Sequence, residues 1–352
     1  MKIKKLNIVK DTIIHGKGGG ILNLIRTANN VFNEPLYVSS LPLYIQIEPA
    51  VVCNLRCKMC VAPYWKRSRD YLTFDNFEFI LRQFPYLRKV SLVGVGEPLL
   101  NPELFEIIRW ARKKNILIGF ATNGTILTKK NIENILMSDT NWLNISIDGA
   151  RKKTYEKIRV GADFDIVINN IEELMMAKKN NDIDISVWFV GMQDNIEELP
   201  EMVKLVTDLG IKKLSMQMAH NWGKEEWKEK LKLKQLNGNF FRLKEIILQT
   251  VRLAREKDIQ FNYVNTPPPI KSKRACQWPW KSCYITVEGF VTPCCIHGLD
   301  PDVINFGNIF EKPFNEIWNS PSYQEFRRKL RSDTPPEICI DCTSYYDKLV
   351  ME

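Results

Sequence analysis

The stretch Cys53-Asn54-Leu55-Arg56-Cys57-Lys58-Met59-Cys60 decides how the rest of this 352-residue chain is interpreted. Its three thiols, separated by three and then by two residues, can converge on one face of a loop and ligate three corners of an iron–sulfur cube. One iron is then left open to bind a small molecule and pass an electron into it. Zinc is the lesser alternative, because the sequence places no fourth ligand nearby. A disulfide framework does not suit a long chain without a secretory segment.

Behind this stretch, short β-rich apolar runs alternate with amphipathic helical patterns, which is typical of parallel α/β folds. We predict strands at Leu43–Glu48, Lys89–Val93, Leu117–Thr122, Trp142–Ile147, Asp184–Val190 and Lys213–Met218. We predict helices at Phe74–Gln83, Pro102–Lys114, Lys129–Met137, Phe164–Lys179 and Ile196–Leu209, and a packing helix at Ile21–Phe32 before the first strand. Six such units predict a partial (β/α)6 barrel.

Polar motifs follow several predicted strands, where the catalytic groups of parallel barrels gather. Gly94-Val95-Gly96-Glu97-Pro98 follows the second strand, Asn123 closes the third, and Ser146 and Asp148 end the fourth. The two glycines let the backbone approach a ligand closely, and Glu97 can accept a hydrogen bond from an ammonium group. A local explanation also exists, since Ser, Asn and Asp favour turns and a buried Glu can cap a helix.

The cysteine spacing, placed just after a predicted strand, resembles the defining motif of the radical SAM enzymes. Val95-Gly96-Glu97-Pro98 is similar to that family's Gly-Gly-Glu-Pro motif, with Val95 in place of the first glycine. The resemblance implies that Cys53, Cys57 and Cys60 hold a catalytic [4Fe–4S] cluster. It also implies that the open iron chelates S-adenosylmethionine, whose reductive cleavage yields a 5′-deoxyadenosyl radical. The residues implied to contact S-adenosylmethionine are Met59, Gly94, Gly96, Glu97, Asn123, Ser146 and Asp148.

A second cysteine group lies behind Thr266-Pro267-Pro268-Pro269, a predicted stiff linker. Its features are Cys276, a hairpin of Tyr284–Val287 and Phe290–Thr292, Cys294, a helix over Phe314–Leu330, and then Cys339 and Cys342. This layout resembles the SPASM/twitch extension of radical SAM enzymes, with the family-like segments Trp278-Pro279-Trp280, Gly307-Asn308-Ile309 and Glu316-Ile317-Trp318. The resemblance implies one auxiliary [4Fe–4S] cluster held by Cys276, Cys294, Cys339 and Cys342, as in twitch-type domains. The predicted domains are 1–42, an N-terminal extension; 43–265, the barrel; and 266–352, the auxiliary-cluster domain.

Three further residues are candidate catalytic groups. Cys283 and Cys295 are surplus to both ligand sets, so each is a buried apolar residue, a replacement ligand, or a hydrogen-atom donor to a substrate radical. His220 follows the sixth strand and is either a substrate contact or a hydrogen-bonded rim histidine. The Lys/Glu-rich run Lys224–Lys234 predicts an exposed helix. Nothing pairs with the three histidines to form a hydrolytic triad.

Bulk composition indicates a folded protein, with 45% hydrophobic and 26% charged residues. No apolar run is long enough to span a membrane, so a cytoplasmic location is expected, where thiols stay reduced. The net charge of +9 is scattered among Glu residues, so we expect a solvated basic surface rather than a nucleic-acid partner.

The resemblance implies an oxidoreductase that dehydrogenates or otherwise modifies a substrate by radical chemistry, with flavodoxin or ferredoxin as electron donor. Four thiolates close the auxiliary cluster, which favours electron relay. We expect a small polyol, sugar or aminocyclitol-like substrate, because few residues precede the barrel for a leader-binding domain. The alternatives are oxidation, crosslinking or epimerisation of a ribosomal peptide or protein side chain and, in another class, a non-enzymatic iron–sulfur electron-transfer protein.

Overall fold

The computed structural model describes residues 18–65, 67, 70–179, 181–219, 222, 240–264, 276–340 and 342. His220, the helix expected at Lys224–Lys234 and the linker expected at Thr266–Pro269 lie outside these residues. Among the helices described, none combines the length and the apolar character that crossing a membrane requires.

One nine-stranded sheet organises the described chain, in the order β7-β6-β5-β4-β3-β2-β1-β8-β9. Its strands are β1 (Tyr44–Ile47), β2 (Lys89–Leu92), β3 (Leu117–Thr122), β4 (Trp142–Ser146), β5 (Asp184–Gly191), β6 (Lys213–Met218), β7 (Gln260–Val264), β8 (Tyr284–Ile285) and β9 (Val291–Thr292). All neighbouring pairs are parallel except the β8–β9 hairpin. The predicted partial barrel is confirmed.

Ten helices of the described chain accompany the sheet, and those between β1 and β7 connect its parallel strands. They are α1 (Gly18–Asn33), α2 (Phe74–Arg82), α3 (Leu104–Lys113), α4 (Lys129–Met137), α5 (Lys152–Ile158), α6 (Phe164–Lys178), α7 (Leu199–Asp208), α8 (Phe240–Glu256), α9 (Phe314–Trp318) and α10 (Pro321–Leu330). Side-chain oxygens cap several N-termini; Thr73 and Thr128, for example, accept from backbone N–H groups of the first turns of α2 and α4.

Alternation along the strands separates the core from the inner face of the barrel. On β1, Ile45 and Ile47 are fully buried in the main core, so Gln46 points to the opposite, inner face. Leu143 and Ile145 of β4 are likewise buried in the core. Because β1 to β7 are parallel, their carboxyl ends lie at one edge, and the loops that carry the polar motifs meet there.

Three elements differ from the sequence-based expectation. The expected helix Phe314–Leu330 is two helices, because Ser320 caps α10 and Pro321 at its first turn has no N–H group to continue α9. Strand β7 and helix α5 were not predicted. Strand β7 extends the parallel sheet beyond the six predicted strands, and α5 ends beside the first cysteine stretch.

Helix α1 packs through its polar side rather than its apolar side. The Asn23 amide donates to Leu41 O (3.0 Å) and accepts from Leu41 N (2.9 Å), which fixes the segment that leads into β1. Leu22 and Ile25 are 48% and 60% exposed. The apolar spacing therefore predicted the helix correctly but not the face that it buries, because the neighbouring backbone offers hydrogen bonds that only the amides can satisfy.

Arg327 of α10 ties the N-terminal segment to the C-terminal region. It is fully buried, and it donates from Nε to Pro279 O (3.0 Å) and from Nη1 to Leu36 O (3.0 Å). Its guanidinium carbon lies 4.6 Å from the Trp318 ring centroid and 4.3 Å from that of Tyr323. A planar cation can satisfy carbonyls at its edge while its faces stack on rings.

We expect Arg327→Ala to lower the free energy of unfolding by about 3 kcal/mol, because it removes the ring contacts and leaves two buried carbonyls without a donor. Urea unfolding of the anaerobically purified protein measures the change. The matched control is Arg328→Ala, which breaks only an exposed pair with Glu325 and is expected to leave the midpoint unchanged. Equal midpoints for the two variants would show that the Arg327 contacts do not stabilise the fold.

Candidate active site

The first cysteine stretch is held by backbone hydrogen bonds to the end of α5. Arg56 N donates to Val160 O and Lys58 N donates to Ile158 O, both at 2.9 Å. The N–H groups that belong to Leu55 and Ala62 point at sulfur, each 3.5 Å from the Sγ of the cysteine two residues earlier. Donors aimed at sulfur favour the thiolate form that a metal requires.

The three thiols share a desolvated space. Burial raises the pKa of the Cys57 thiol to about 11 and that of Cys60 to about 12, and Cys53 and Cys57 both add to the rise at Cys60. Burial also raises the pKa of Cys53. The ionised forms of these thiols repel one another, and bound iron would supply the compensating positive charge.

These thiols fit a multi-iron cluster by donor type and by convergence. Within the part of the chain that the structure describes, no three His, Cys, Asp or Glu side chains are grouped to hold a single metal ion. A cubane spreads three thiolates over three irons, so its ligands do not share one metal centre.

The Gly94–Pro98 loop packs tightly against the segment that follows β1. A Cβ on Gly96 would lie 2.2 Å from Ala50 O and 2.8 Å from Val52 O, and Glu97 N donates to Val52 O at 2.8 Å. A Cβ on Gly94 would lie 2.7 Å from Glu48 Cγ. Close contact with other parts of the protein therefore explains why both positions are glycine. The expected close approach of a ligand is a second explanation.

Glu97 and Asn123 are brought together beside Cys53. The Glu97 carboxylate is buried and accepts from Thr122 Oγ1 (2.7 Å), Asn123 N (2.7 Å) and Leu99 N (3.2 Å). Burial raises the pKa of Glu97. Asn123 Nδ2 lies 3.9 Å from Cys53 Sγ. Glu97 therefore links the ends of β2 and β3 by hydrogen bonds, and Asn123 links the end of β3 to the cysteine stretch.

Asp148 forms a buried ion pair with Arg159, a residue that no sequence motif identified. Asp148 Oδ2 accepts from Arg159 Nε and Nη2, both at 2.6 Å, and Oδ1 accepts from Val190 N at 2.7 Å. Both carboxylate oxygens thus have protein partners. The Arg159 guanidinium also lowers the pKa of Cys57 against the larger effect of burial, so this cation lies beside the cysteine stretch.

The remaining candidate S-adenosylmethionine contacts lie around the same mouth. Ser146 is half-buried at the end of β4, opposite Trp188 of β5. The Met59 side chain is buried, and its carbonyl accepts from the indole N–H of Trp222 at 2.6 Å. Trp222 therefore occupies one lone pair of the Met59 carbonyl, and a carbonyl oxygen can accept a second hydrogen bond from a ligand.

The second cysteine group converges on Cys339. Burial raises the pKa of this thiol, and Cys294, Cys342 and Cys276 each raise it further, so each of these three thiols lies within electrostatic range of Cys339. Cys342 N donates to Cys339 O at 3.3 Å, which makes a tight turn between the last two. Cys283 is fully buried in the main core, and burial alone raises the pKa of its thiol. Cys295 is half-buried and packs against the group formed by Val61, Val95, Tyr284 and Leu299; Cys294 and Cys342 add to the rise that burial causes in the pKa of its thiol.

A buried ion network joins the two cysteine regions. Arg67, which follows the first cysteine stretch, donates from Nη1 to Glu48 Oε1 and from Nε to Glu288 Oε1, both at 3.1 Å, and its Nη2 contacts the second oxygen of each carboxylate. Glu48 directly follows β1, and Glu288 lies in the turn between β8 and β9. The sequence analysis missed this network, and its one local signal is a carboxylate at the end of an apolar strand.

Comparison with known protein families gives a match for each of the two cysteine regions. Residues 47–206 match the radical SAM superfamily, and residues 276–343 match the SPASM iron–sulfur cluster-binding domain.

Individual relatives match over most of their length. The tungsten-containing aldehyde ferredoxin oxidoreductase cofactor-modifying protein of Pyrococcus furiosus is 25% identical over 323 residues, 85% of this chain and 87% of the relative. The PqqA peptide cyclase of Gluconobacter oxydans is 25% identical over 311 residues, 86% of this chain and 82% of the relative. Among solved structures, Streptococcus suis SuiB bound to precursor peptide SuiA has a TM-score of 0.70 at 19% identity, covering 92% of this chain and 74% of SuiB.

The cofactor chemistry follows from the two family matches together with the two converged sets of thiols. The chain carries a radical SAM domain at residues 47–206 and a SPASM iron–sulfur domain at residues 276–343, so it is an enzyme that uses S-adenosylmethionine, a catalytic [4Fe–4S] cluster and an auxiliary [4Fe–4S] cluster.

Proposed function

We propose that this enzyme modifies a peptide or protein side chain by radical chemistry. The observation that carries the proposal is the nature of its relatives, which include a peptide cyclase, a mycofactocin maturase and a biosynthesis protein of the bacteriocin subtilosin. This replaces the expected polyol, sugar or aminocyclitol substrate as the first hypothesis. Modification of a cofactor is the second candidate, because the Pyrococcus furiosus relative is named for that activity.

The inner face of the barrel supports a polar substrate of some length. Ser186 Oγ donates to Asn144 Oδ1 at 2.8 Å on this face, and Ser146, Trp188 and Gln217 are partly exposed along it. The described sheet ends in β7 on one side and β9 on the other. Neutral hydrogen-bonding groups and a tryptophan suit a peptide, whose backbone offers donors and acceptors and whose side chains offer apolar surface.

We assign Cys53, Cys57 and Cys60 to the catalytic cluster and Cys276, Cys294, Cys339 and Cys342 to the auxiliary cluster. When bound, the catalytic cluster and S-adenosylmethionine supply the 5′-deoxyadenosyl radical that takes a hydrogen atom from the substrate. A low-potential donor such as flavodoxin or ferredoxin supplies electrons. The domain boundaries remain those proposed from the sequence, at residues 42/43 and 265/266.

The protein's own side chains shape the S-adenosylmethionine site. Glu97 fixes the ends of β2 and β3 through three accepted hydrogen bonds, and Asp148 fixes β5 and Arg159. Because both carboxylates have several protein donors, we assign them to positioning the surrounding backbone. The buried Arg159 offsets negative charge at the catalytic thiols.

The cysteine assignments predict separate losses of iron. Cys57→Ser is expected to remove about four irons and all 5′-deoxyadenosine formation, whereas Cys339→Ser removes about four irons and leaves some cleavage of S-adenosylmethionine, because the clusters bind independently. Iron and sulfide counts on anaerobically reconstituted protein measure the difference, with Cys283→Ala as the control that keeps all the iron. Loss of cleavage with full iron in Cys57→Ser would refute its ligand role.

The variant Gly96→Ala distinguishes two reasons for glycine at this position, which are close packing against the protein backbone and close approach of a ligand. A Cβ 2.2 Å from Ala50 O forces the loop away from the cysteine stretch, so we expect iron content at the catalytic site to fall even when S-adenosylmethionine is absent. The matched control is Gly20→Ala in α1, where the nearest atom would be 3.7 Å away. Full iron content with weakened S-adenosylmethionine binding would instead assign Gly96 to the ligand alone.

The peptide assignment predicts a change of mass. The reconstituted enzyme, dithionite and S-adenosylmethionine are incubated with synthetic peptides encoded by short reading frames beside the gene, and mass spectrometry compares each with a Cys57→Ser reaction. We expect one peptide to be modified and to raise 5′-deoxyadenosine above the peptide-free level. Unchanged peptides, together with stimulation by the cofactor of a tungsten-containing aldehyde ferredoxin oxidoreductase, would favour the second candidate.

A further inference from the structure

The side chain of Tyr323 in α10 is fully buried, yet its hydroxyl has no hydrogen-bond partner among the described residues. Packing fixes the ring: Phe306 stacks on it with ring centroids 3.8 Å apart, and Trp318 meets it edge-on at 4.8 Å. The hydroxyl therefore cannot turn away to find a partner elsewhere. Because buried polar atoms without partners are destabilising and rare, this hydroxyl points to an acceptor outside the polypeptide.

Tyr323 lies within electrostatic range of two thiols that we assign to the auxiliary cluster. Burial raises the pKa of Tyr323, and Cys283, Cys294 and Cys276 each add to that rise, whereas Arg327 opposes it. The hydroxyl does not bond to any thiol of the described chain, Cys283 included. The acceptor that it lacks would thus lie near Cys294 and Cys276, where the sulfur atoms of a bound cluster can accept hydrogen bonds.

A second unpartnered hydroxyl belongs to the same region. Thr292 of β9 is fully buried, and its Oγ1 also lacks a partner within the described chain. Thr292 lies two residues before Cys294. Two hydroxyls without partners therefore occur around Cys294. A [4Fe–4S] cluster offers such groups more acceptors than the bare thiols do, because it adds inorganic sulfides to the cysteine sulfurs.

A buried cation packs against the Tyr323 ring. The guanidinium carbon of Arg327 lies 4.3 Å from the ring centroid. Its acceptors are the neutral carbonyls of Pro279 and Leu36 and the side-chain oxygen of Asn319, and its Nη2 has no partner among the described residues. Burial lowers the pKa of Arg327 to about 10, with no carboxylate of the described chain to oppose the shift. A buried cation without an anion is unfavourable, so this region also suits a bound group of negative charge.

We propose that the Tyr323 hydroxyl donates a hydrogen bond to a sulfur of the auxiliary cluster and thereby raises the reduction potential of that cluster. Reduction adds one electron, and so one negative charge, to the iron and sulfur atoms. An O–H donor stabilises the more negative form more strongly, so the potential rises. A higher potential suits the electron relay that four thiolate ligands favour. The inference rests on the proposed ligands of the auxiliary cluster and is independent of the substrate.

Potentiometric titration of the reconstituted full-length enzyme, followed by electron paramagnetic resonance, tests this role. Tyr323→Phe removes the hydroxyl and keeps the ring contacts with Phe306, Trp318 and Arg327. We expect the midpoint potential of the auxiliary cluster to become more negative, while iron and sulfide stay at the wild-type level. The catalytic cluster is the internal reference. Its signal changes when S-adenosylmethionine binds its open iron, and its midpoint potential is expected to stay the same.

The matched control is Tyr155→Phe. Tyr155 of α5 is also fully buried with an unpartnered hydroxyl in the described chain, but it lies within electrostatic range of Cys57 of the catalytic set. We expect this variant to leave the midpoint potential of the auxiliary cluster unchanged. A second readout detects the hydrogen bond itself: electron–nuclear double resonance of the reduced auxiliary cluster, in H₂O and in D₂O, is expected to show an exchangeable proton that Tyr323→Phe lacks.

Three results would overturn the proposal. An unchanged midpoint potential in Tyr323→Phe, with all the iron retained, would show that the hydroxyl does not reach the cluster. A shifted potential with the same exchangeable protons as the wild type would assign the shift to packing. Loss of about four irons in Tyr323→Phe but not in Tyr155→Phe would make the hydroxyl a structural group. Because the samples contain no peptide, these outcomes do not depend on the peptide assignment.

Discussion

The parallel pairing of β8 with β1 determines how close the two cysteine regions lie. Strand β1 is hydrogen-bonded to β2 on one edge and to β8 on the other, with Gln46 N donating to Cys283 O at 3.1 Å and Glu48 N donating to Ile285 O at 2.9 Å. The C-terminal hairpin is thus part of the barrel sheet. Since the first cysteine stretch follows β1 and Cys294 follows β9, this pairing brings both ligand sets to one side of the molecule.

Buried ion pairs stabilise the region where β8 pairs with β1, and each buried carboxylate there accepts hydrogen bonds from protein donors. Glu48 and Glu288 share the Arg67 guanidinium, while Asp148 has Arg159 and a backbone N–H. An unpaired buried carboxylate would be strongly destabilising, so these groups are satisfied by the protein before any ligand arrives. The side chains at the mouth of the barrel are therefore ordered before a ligand binds, so ligand binding does not lose free energy in ordering them.

Sequence reasoning identified the fold and the chemical class because both depend on local patterns. The two cysteine spacings and the alternation of strands and helices led to the radical SAM superfamily, a SPASM-type domain and a partial barrel, which the family matches and the sheet order confirm. The substrate was harder to predict, because specificity depends on side chains from several strands, and the relatives favour a peptide over the small polyol that was expected. The residue assignments of the S-adenosylmethionine site stay predictions.

The sequence by itself determined which elements form and which donor atoms are available, because hydrophobic period and ligand spacing act over a few residues. Only the tertiary structure decided the partners of those atoms. Arg159 carries no motif, and its meaning comes from a carboxylate eleven residues earlier and from the cysteine stretch across the barrel mouth. Cys295 and Cys283 were both surplus cysteines in the sequence, and packing distinguishes them: Cys283 lies in the main core, whereas Cys295 packs against the separate group of Val61, Val95, Tyr284 and Leu299, which Cys60 also contacts. Long-range packing determines the environment of each cysteine, and no short sequence pattern predicts it.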